Sequence, residues 1–484
     1  MFGASSSSAK RRHRHRIAGA LAVTVALVAA SCGDDDSESS DTEAAATTAG
    51  SETTVAPEAT EAPDGTDAPE TTDAPEATEA PEATDAPETT ENGEDGDGGD
   101  GGTAASAVFP TLPPPTGEAM KIGLVNTEGT PGLDFPDIRI NVGATFDYLN
   151  EHGGYGDRPL ELVNCTVDGS PEASQACAQE IVGEGVELVF LGLDLFPDYA
   201  TYTASDIPVV GLLPILPGDY TADALFYTGG NATTNGAIAA VADQEFEARS
   251  VGIISADNAG ANASEASLTA ALDIAGIEYT SIKGGDNETD AGYQGLMRQA
   301  ADGNPDVLVS LYADAGCIGT MRGRAALGID IPVITTGICG ENDVIDEVGD
   351  DALGWYFVGI ETDDDSPEQA ILREILAPVF GVPADEVTAE GLGALALNMA
   401  MSFAVYSNQL AAEGGDVTGR SLYEFFETAP GLQQWPDGSV IECGRAPTYP
   451  AVCAFTFPVA EYQAGGEIVT APGLEAVDAF AYLP

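Results

Sequence analysis

Short apolar runs alternate with amphipathic stretches through most of the chain. Lys121–Asn126 is an apolar run ending in turn chemistry and predicts a strand. Asp137–Asn150 follows, with Ile138, Val142, Phe146 and Leu149 on one helical face, and Gly153-Gly154 stops the helix. Strand Glu161–Cys165, helix Pro171–Gly183 and strands Leu188–Gly192 and Pro208–Leu213 continue the pattern, with Pro171 suited to a first helical turn. A second series starts near Thr233. Helices Thr233–Phe246, Asn262–Ala275, Ala291–Asp302 and Cys317–Leu327 alternate with strands Ser250–Ala256, Glu278–Lys283, Val307–Tyr312 and Pro332–Thr336. Strands spaced by helical patterns predict parallel α/β units, and two such series predict two doubly wound lobes. After Trp355–Ile360 the pattern turns helical, through Pro367–Phe380, Ala389–Ala412 and Arg420–Thr428. From Trp435 onward it reads as short strands joined by Asp437-Gly438, Cys443-Gly444 and Gly465-Gly466.

The first 117 residues do not share this pattern. Lys10, Arg11, Arg12, Arg14 and Arg16 precede an apolar run from Ile17 to Ala30. A basic start, a short apolar core and small residues after it read as a secretory signal over residues 1–31. The run falls short of the roughly 20 residues that a membrane span needs. Arg11-Arg12 lacks the apolar pair of a twin-arginine signal, so general export is expected. Ala29-Ala30-Ser31-Cys32 resembles a bacterial lipobox, which implies lipid on Cys32 and anchoring to the outer face of the cell membrane. Residues 32–117 are mostly Asp, Glu, Thr, Ala, Pro and Gly, with Ala-Pro recurring at Pro57, Pro63, Pro69, Pro75, Pro81 and Pro87. Such a segment buries too little apolar area to offset its chain entropy, and proline with self-repelling carboxylates favours extension. A disordered acidic tether is expected. The Asp/Gly run from Glu94 to Gly102 lacks the glutamate that closes a calcium loop and reads as spacer, and no metal site is expected.

Charge narrows the partners. The chain carries a net −64, and residues 118–484 alone hold 57 acidic against 11 basic residues. Such a surface repels nucleic acid and anionic lipid. Because the acids spread over the whole chain, adaptation to a salty medium accounts for them better than attraction of a cationic ligand. Seven cysteines are present, and with Cys32 set aside the others fall in three neighbouring couples. In an oxidising compartment these become disulfides. Six cysteines allow fifteen pairings, and the sequential one is the simplest: Cys165–Cys177, Cys317–Cys339 and Cys443–Cys453. Beyond the signal only His152 remains as a histidine, at a helix end where it suits a cap. No G-x-S-x-G, H-E-x-x-H or G-x-x-x-x-G-K-[ST] occurs, so neither an enzyme nor a cofactor is expected.

The order of segments resembles a known family. Lys121-Ile122-Gly123-Leu124, then Phe146-Asp147-Tyr148-Leu149-Asn150-Glu151-His152-Gly153-Gly154, is followed by Val182-Gly183-Glu184-Gly185-Val186-Glu187-Leu188-Val189 and by Arg322-Gly323-Arg324-Ala325-Ala326-Leu327-Gly328-Ile329. This series is similar to the leucine/isoleucine/valine-binding class of solute-binding proteins, the receptors of branched-chain amino acid ABC transporters. The resemblance implies two Rossmann-like lobes with parallel sheets, joined by three crossings and closing on ligand in a cleft. The crossings would lie near Tyr227–Asn231, Ile360–Asp364 and Gln434–Gly438. The first lobe would then be residues 118–229 and 361–436, and the second 230–360 and 437–484. The implied partners are a small-molecule solute and a transporter permease, with membrane contact through the lipid and the protein a monomer. A sensory receptor that hands its ligand to a signalling partner is the alternative, and an enzyme a remote one.

Ligands of open parallel sheets bind beyond the carboxyl ends of the strands. The loops there supply the candidates: Glu128, Asp194, Phe196, Ile215, Asp257, Asn258, Tyr312, Asp314 and Ile338. Phe196 and Tyr312 are expected to stack on ligand or pack a lobe, and the aspartates to anchor polar groups or cap helices. Trp355 and Trp435 sit near the implied crossings and suit hinge-side core. The family's grip on a free amino acid is not visible. Gly192-Leu193-Asp194-Leu195-Phe196-Pro197 lacks its serine cluster, and no acid for the ammonium stands in Gly337-Ile338-Cys339-Gly340. An apolar pocket with a few polar anchors suits a small, mostly apolar solute.

Overall fold

The computed structural model describes residues 112–130, 134–313, 315–360, 366–387, 391–436 and 438–484. The expected signal, Cys32, the expected tether up to residue 111, Asp314, most of the expected second crossing and Asp437 lie outside them.

The first lobe is built on five parallel strands in the order β2-β1-β3-β4-β5. These are β1 (Met120–Thr127), β2 (Leu160–Val167), β3 (Leu188–Leu191), β4 (Val209–Gly211) and β5 (Leu225–Phe226). Central strands β1 and β3 are apolar almost throughout because helices cover both faces of the sheet. Helix α1 (Pro136–Glu151) packs on one face, and α2 (Pro171–Gly183) and α3 (Tyr199–Ala204) on the other. The first face also takes three helices from late in the chain, α9 (Pro367–Phe380), α10 (Gly391–Ala412) and α11 (Gly419–Thr428). Phe190 on β3 meets Phe403 on α10 edge-on at 5.3 Å, so strands and helices some 200 positions apart share one core.

The second lobe has seven strands in the order β13-β12-β10-β9-β8-β6-β7. Strands β6 (Ser250–Ala256), β7 (Glu278–Gly284), β8 (Val307–Leu311), β9 (Val333–Thr336) and β10 (Trp355–Val358) are parallel. Strands β12 (Val459–Gln463) and β13 (Glu467–Thr470) extend the sheet antiparallel, and β11 (Thr456–Phe457) pairs with β14 (Val477–Asp478) apart from it. Helices α4 (Gly230–Gln244) and α5 (Ala259–Ala275) cover one face of the main sheet. Helices α6 (Asp290–Ala300), α7 (Ala315–Leu327) and α8 (Asn342–Val348) cover the other, around Met297, Met321, Trp355 and Phe357. Gly319 and Gly323 let α7 lie directly on Tyr293 of α6, where a side chain would collide with the ring and its backbone.

The local signals set the boundaries well. Helix α2 spans the expected residues because the Ser170 hydroxyl accepts from Ala173 N–H at 3.3 Å and Pro171 occupies the first turn. The short elements α3, β5 and α8 were not expected, since few residues carry each pattern. Two junctions also differ. Leu112 packs on Gly153, and Thr116 and Gly117 bond to Asp157, the Gly117 N–H donating to its carbonyl at 2.7 Å. The ordered fold therefore begins before Glu118. Ile441, Cys453 and Ala454 pack in the first lobe's core, and Cys453 N–H donates to Phe226 O at 3.1 Å. The last passage into the second lobe thus lies beyond residue 454, later than Gln434–Gly438. The sequential cysteine couples are bridged, with Cα–Cα distances of 5.6 Å for Cys165–Cys177, 5.4 Å for Cys317–Cys339 and 3.7 Å for Cys443–Cys453. Among the described residues no helix is long and apolar enough to cross a membrane.

Candidate functional site

A cavity of about 560 Å³ opens between the lobes at the carboxyl ends of β4, β9 and β10. The first lobe lines it with Leu213 after β4, with Gln369, Leu372 and Arg373 of α9, and with Leu392, Leu395 and Asn398 of α10. The second lobe supplies Thr336 through Ile338, Gly340, Glu341 and Asn342 after β9, and Val358 through Ile360 after β10. Thr228, Asn231 of α4, Gln434 and Thr456 of β11 also line it. The wall mixes aliphatic side chains with eleven polar or charged ones. Among the described residues its only charged side chains are Arg373 from the first lobe and Glu341 from the second.

Polar contacts tie Tyr227, Gln434 and Trp435 together beside this cavity. Gln434 Nε2 donates to Tyr227 O at 2.8 Å, and the Tyr227 hydroxyl lies 2.9 Å from Ser402 Oγ. Trp435 N–H donates to the same Ser402 oxygen at 2.9 Å. Ser402 of α10 thereby ties Tyr227 to Trp435, and Trp435 is buried in the first core.

Of the residues singled out from sequence, Ile338 lines this cavity, held 40 % exposed by the turn Gly337–Gly340. The others are placed elsewhere. Glu128 accepts a two-point grip from Arg139 (Nε at 2.9 Å, Nη2 at 3.0 Å), and this pairing pushes the guanidinium's pKa up. Phe196 stands 43 % exposed on the first lobe, and Ile215 packs against the first core while its N–H donates to Asp219 at 2.8 Å. Asp257 N–H donates to Gly284 O at 2.8 Å. Asn258 caps α5 through Ala261 N–H at 2.8 Å and donates to Asp286 at 2.6 Å. Tyr312 is buried in the second lobe, 3 % exposed, and Asp314 lies outside the described residues. Trp355 is fully buried in the second lobe's core, away from the lining residues.

Arg373 and Asn398 were missed from sequence, although each leaves a trace there. Arg373 is one of only 11 basic residues in residues 118–484, and Asn398 interrupts an otherwise apolar stretch of α10. Glu341 stands one residue beyond the segment in which an acid for an ammonium was sought. Among the described residues no group of three or more His, Cys, Asp and Glu side chains could hold a metal ion.

Asp194 braces the loop after β3. Its Oδ1 accepts from Ser174 Oγ at 2.6 Å and from Phe196 N–H at 3.0 Å. Burial pushes its carboxyl pKa up, those two bonds pull it back, and nearby Asp219 raises it further. A folded pKa above the unfolded one means that its contribution to stability is full at acid pH and is lost as pH rises through the folded pKa. Asp194→Asn keeps an acceptor for both donors and removes the charge. Wild-type stability relative to this variant should therefore fall between about pH 4 and neutrality. Thermal melts of the two proteins across that range check it; a difference that grows with pH would show Asp194 to be stabilised as the anion.

The comparisons with known proteins follow this geometry. Residues 119–438 match the family model described as periplasmic binding protein. No curated protein matches the chain. Among solved structures, an ABC transporter substrate-binding protein from Sphaerobacter thermophilus shares 18% identity over 75% of this chain and 99% of its own, with a TM-score of 0.58. A solute-binding protein of an ABC transporter from Rhodopseudomonas palustris BisB5, solved with 3,4-dihydroxybenzoic acid, shares 17% over 75% and 98%, with a TM-score of 0.54. A leucine-binding protein from Thermotoga maritima shares 12% over 74% and 99%, with a TM-score of 0.53. With the family model spanning most of the ordered chain and the two-lobed fold shared along nearly the full length of these structures, the chain belongs to the periplasmic binding protein family, with the type I fold of the leucine/isoleucine/valine-binding class.

Proposed function

We propose that this chain is a lipid-anchored extracytoplasmic receptor that captures a small, mostly apolar, amino-acid-like solute between its lobes and delivers it to an ABC importer. The observation that carries the solute class is the placement of Arg373 and Glu341, from opposite lobes, in the lining of one cavity that also holds leucine and isoleucine side chains. Arg373 offers donors to a carboxylate, Glu341 an acceptor to an ammonium, and the leucine and isoleucine walls suit an apolar side chain. The fixed cation matters because a surface this acidic repels free anions. Contacts made only when both lobes reach the solute would supply the energy of closure.

Thermal unfolding of the full chain with L-leucine, L-phenylalanine and benzoate tests the class. A solute at 100 times its dissociation constant adds about 2.7 kcal/mol of stability. Stabilisation by an amino acid and not by benzoate supports the zwitterion. Stabilisation by benzoate alone supports the aromatic acid seen in the Rhodopseudomonas structure and leaves Glu341 without a role. No shift with any of the three overturns the solute class. Anchoring rests on Cys32: the Cys32→Ser protein should leave the membrane fraction, and its retention there would refute the lipid.

A further inference from the structure

We propose that the Cys317–Cys339 disulfide is a positioning element of the solute cavity, holding the second-lobe wall in its binding shape. This rests on the reading of the cavity as the solute site. Strand β9 ends at Thr336, and the turn that follows, Gly337–Gly340, presents Gly337, Ile338 and Gly340 to the cavity. Cys339 sits in the middle of that turn yet is fully buried, packed in the second lobe's core with Tyr312 and Phe357. One turn thus carries the cavity wall on one side and its anchor on the other.

Packing of Gly340 on Phe357 and Ile360 and a 3.4 Å bond from Thr335 Oγ1 to Cys339 Sγ hold the turn from outside. Its leading residue, Thr336, makes no side-chain capping bond, and two of its four residues are glycines with wide conformational freedom. Gly340 cannot be exchanged for a stiffer residue without collision, because a Cβ there would strike Phe357 and Ile360. A covalent tie from outside the turn adds to that hold. The bridge supplies it by joining Cys339 to Cys317 in the first turn of α7, with Cα atoms 5.4 Å apart. It therefore ties the turn that follows β9 to the helix that follows its parallel neighbour β8. The first-lobe bridge Cys165–Cys177 joins edge strand β2 to α2 and touches no cavity residue. It is a control built into the same molecule.

The test compares three full-length proteins: wild type, Cys317→Ala/Cys339→Val, whose valine refills buried volume, and Cys165→Ala/Cys177→Ala. Amide hydrogen exchange needs no ligand. In the first variant, amides of residues 337–342 should exchange about ten times faster than in wild type, beyond any change shared with β9 and β10. The control should leave them within about twofold. Titration with L-leucine should then show affinity lowered about tenfold in the first variant and within about twofold in the control, since a loosened wall must be ordered on binding. Unchanged exchange at 337–342, or an equal change in the control, overturns the proposal. So does failure of both Cys317→Ala/Cys339→Val and Cys317→Val/Cys339→Ala to fold, because a positioning bond leaves the core intact. If wild type does not bind L-leucine, the solute class fails while the exchange comparison still decides the role of the bridge.

Discussion

Arg373→Ala should weaken L-leucine binding by about 2–5 kcal/mol, the cost of removing one partner of a desolvated, hydrogen-bonded charge pair. That is roughly 30-fold to several thousand-fold in dissociation constant. Arg373 projects from α9, whose buried residues Leu372 and Leu376 hold the helix on the first lobe, so the truncation removes a guanidinium and leaves its scaffold. Arg373→Lys should fall between the two, because an ammonium keeps the charge but loses the fork that grips a carboxylate at two points. Isothermal titration gives the affinities and a parallel melt gives the stability. A dissociation constant within twofold of wild type in Arg373→Ala would remove Arg373 from the site, and with it the carboxylate.

Tyr312→Ala should cost about 3–5 kcal/mol of folding stability, the range for removing a large buried aromatic. The ring is 3 % exposed, meets Tyr293 edge-on at 5.7 Å and covers Gly316 of α7. Burial pushes its hydroxyl pKa above the ordinary tyrosine range. The hydroxyl donates to Gly285 O at 3.3 Å, a long bond, and Tyr312→Phe should cost only about 1 kcal/mol. Phe196→Ala offers the contrast. With its ring 43 % exposed, the change should stay within about 0.5 kcal/mol. Urea unfolding of the three variants distinguishes these cases. A stable Tyr312→Ala protein with weakened solute binding would restore the stacking role that its place at a strand end suggests.

Tyr312 also marks where a sequence reading runs out. Its position after β8 is correct, and strand ends are where ligands of such sheets bind. Whether a side chain there faces the cleft depends on what folds over it. The loop after β7 does so, bringing Gly285 O to the hydroxyl, and α6 brings Tyr293. Asp194 and Asn258 show the same ambiguity resolved towards support. Each carries the chemistry of a ligand anchor, and each spends it on neighbouring backbone and side-chain donors or acceptors. Ile338 reaches the cavity because its neighbour Cys339 is pulled into the core and the turn exposes the residue beside it.

By itself the sequence determined the alternation of strands and helices, most of their limits, the two-lobed α/β class and the three cysteine couples. These rest on information close along the chain: a cap beside its helix, a proline in its first turn, an apolar run as long as its strand, two cysteines on adjoining elements. Only the tertiary structure decided which side chains share the cavity. Leu213, Arg373 and Asn398 meet there because α9 and α10 return to the first sheet after the parallel strands of the second lobe have been built. Periodicity says which face of such a helix is apolar; it does not say against what that face will pack. An arginine at the edge of that face reads as ordinary solvated surface until the other lobe stands opposite it across a cavity.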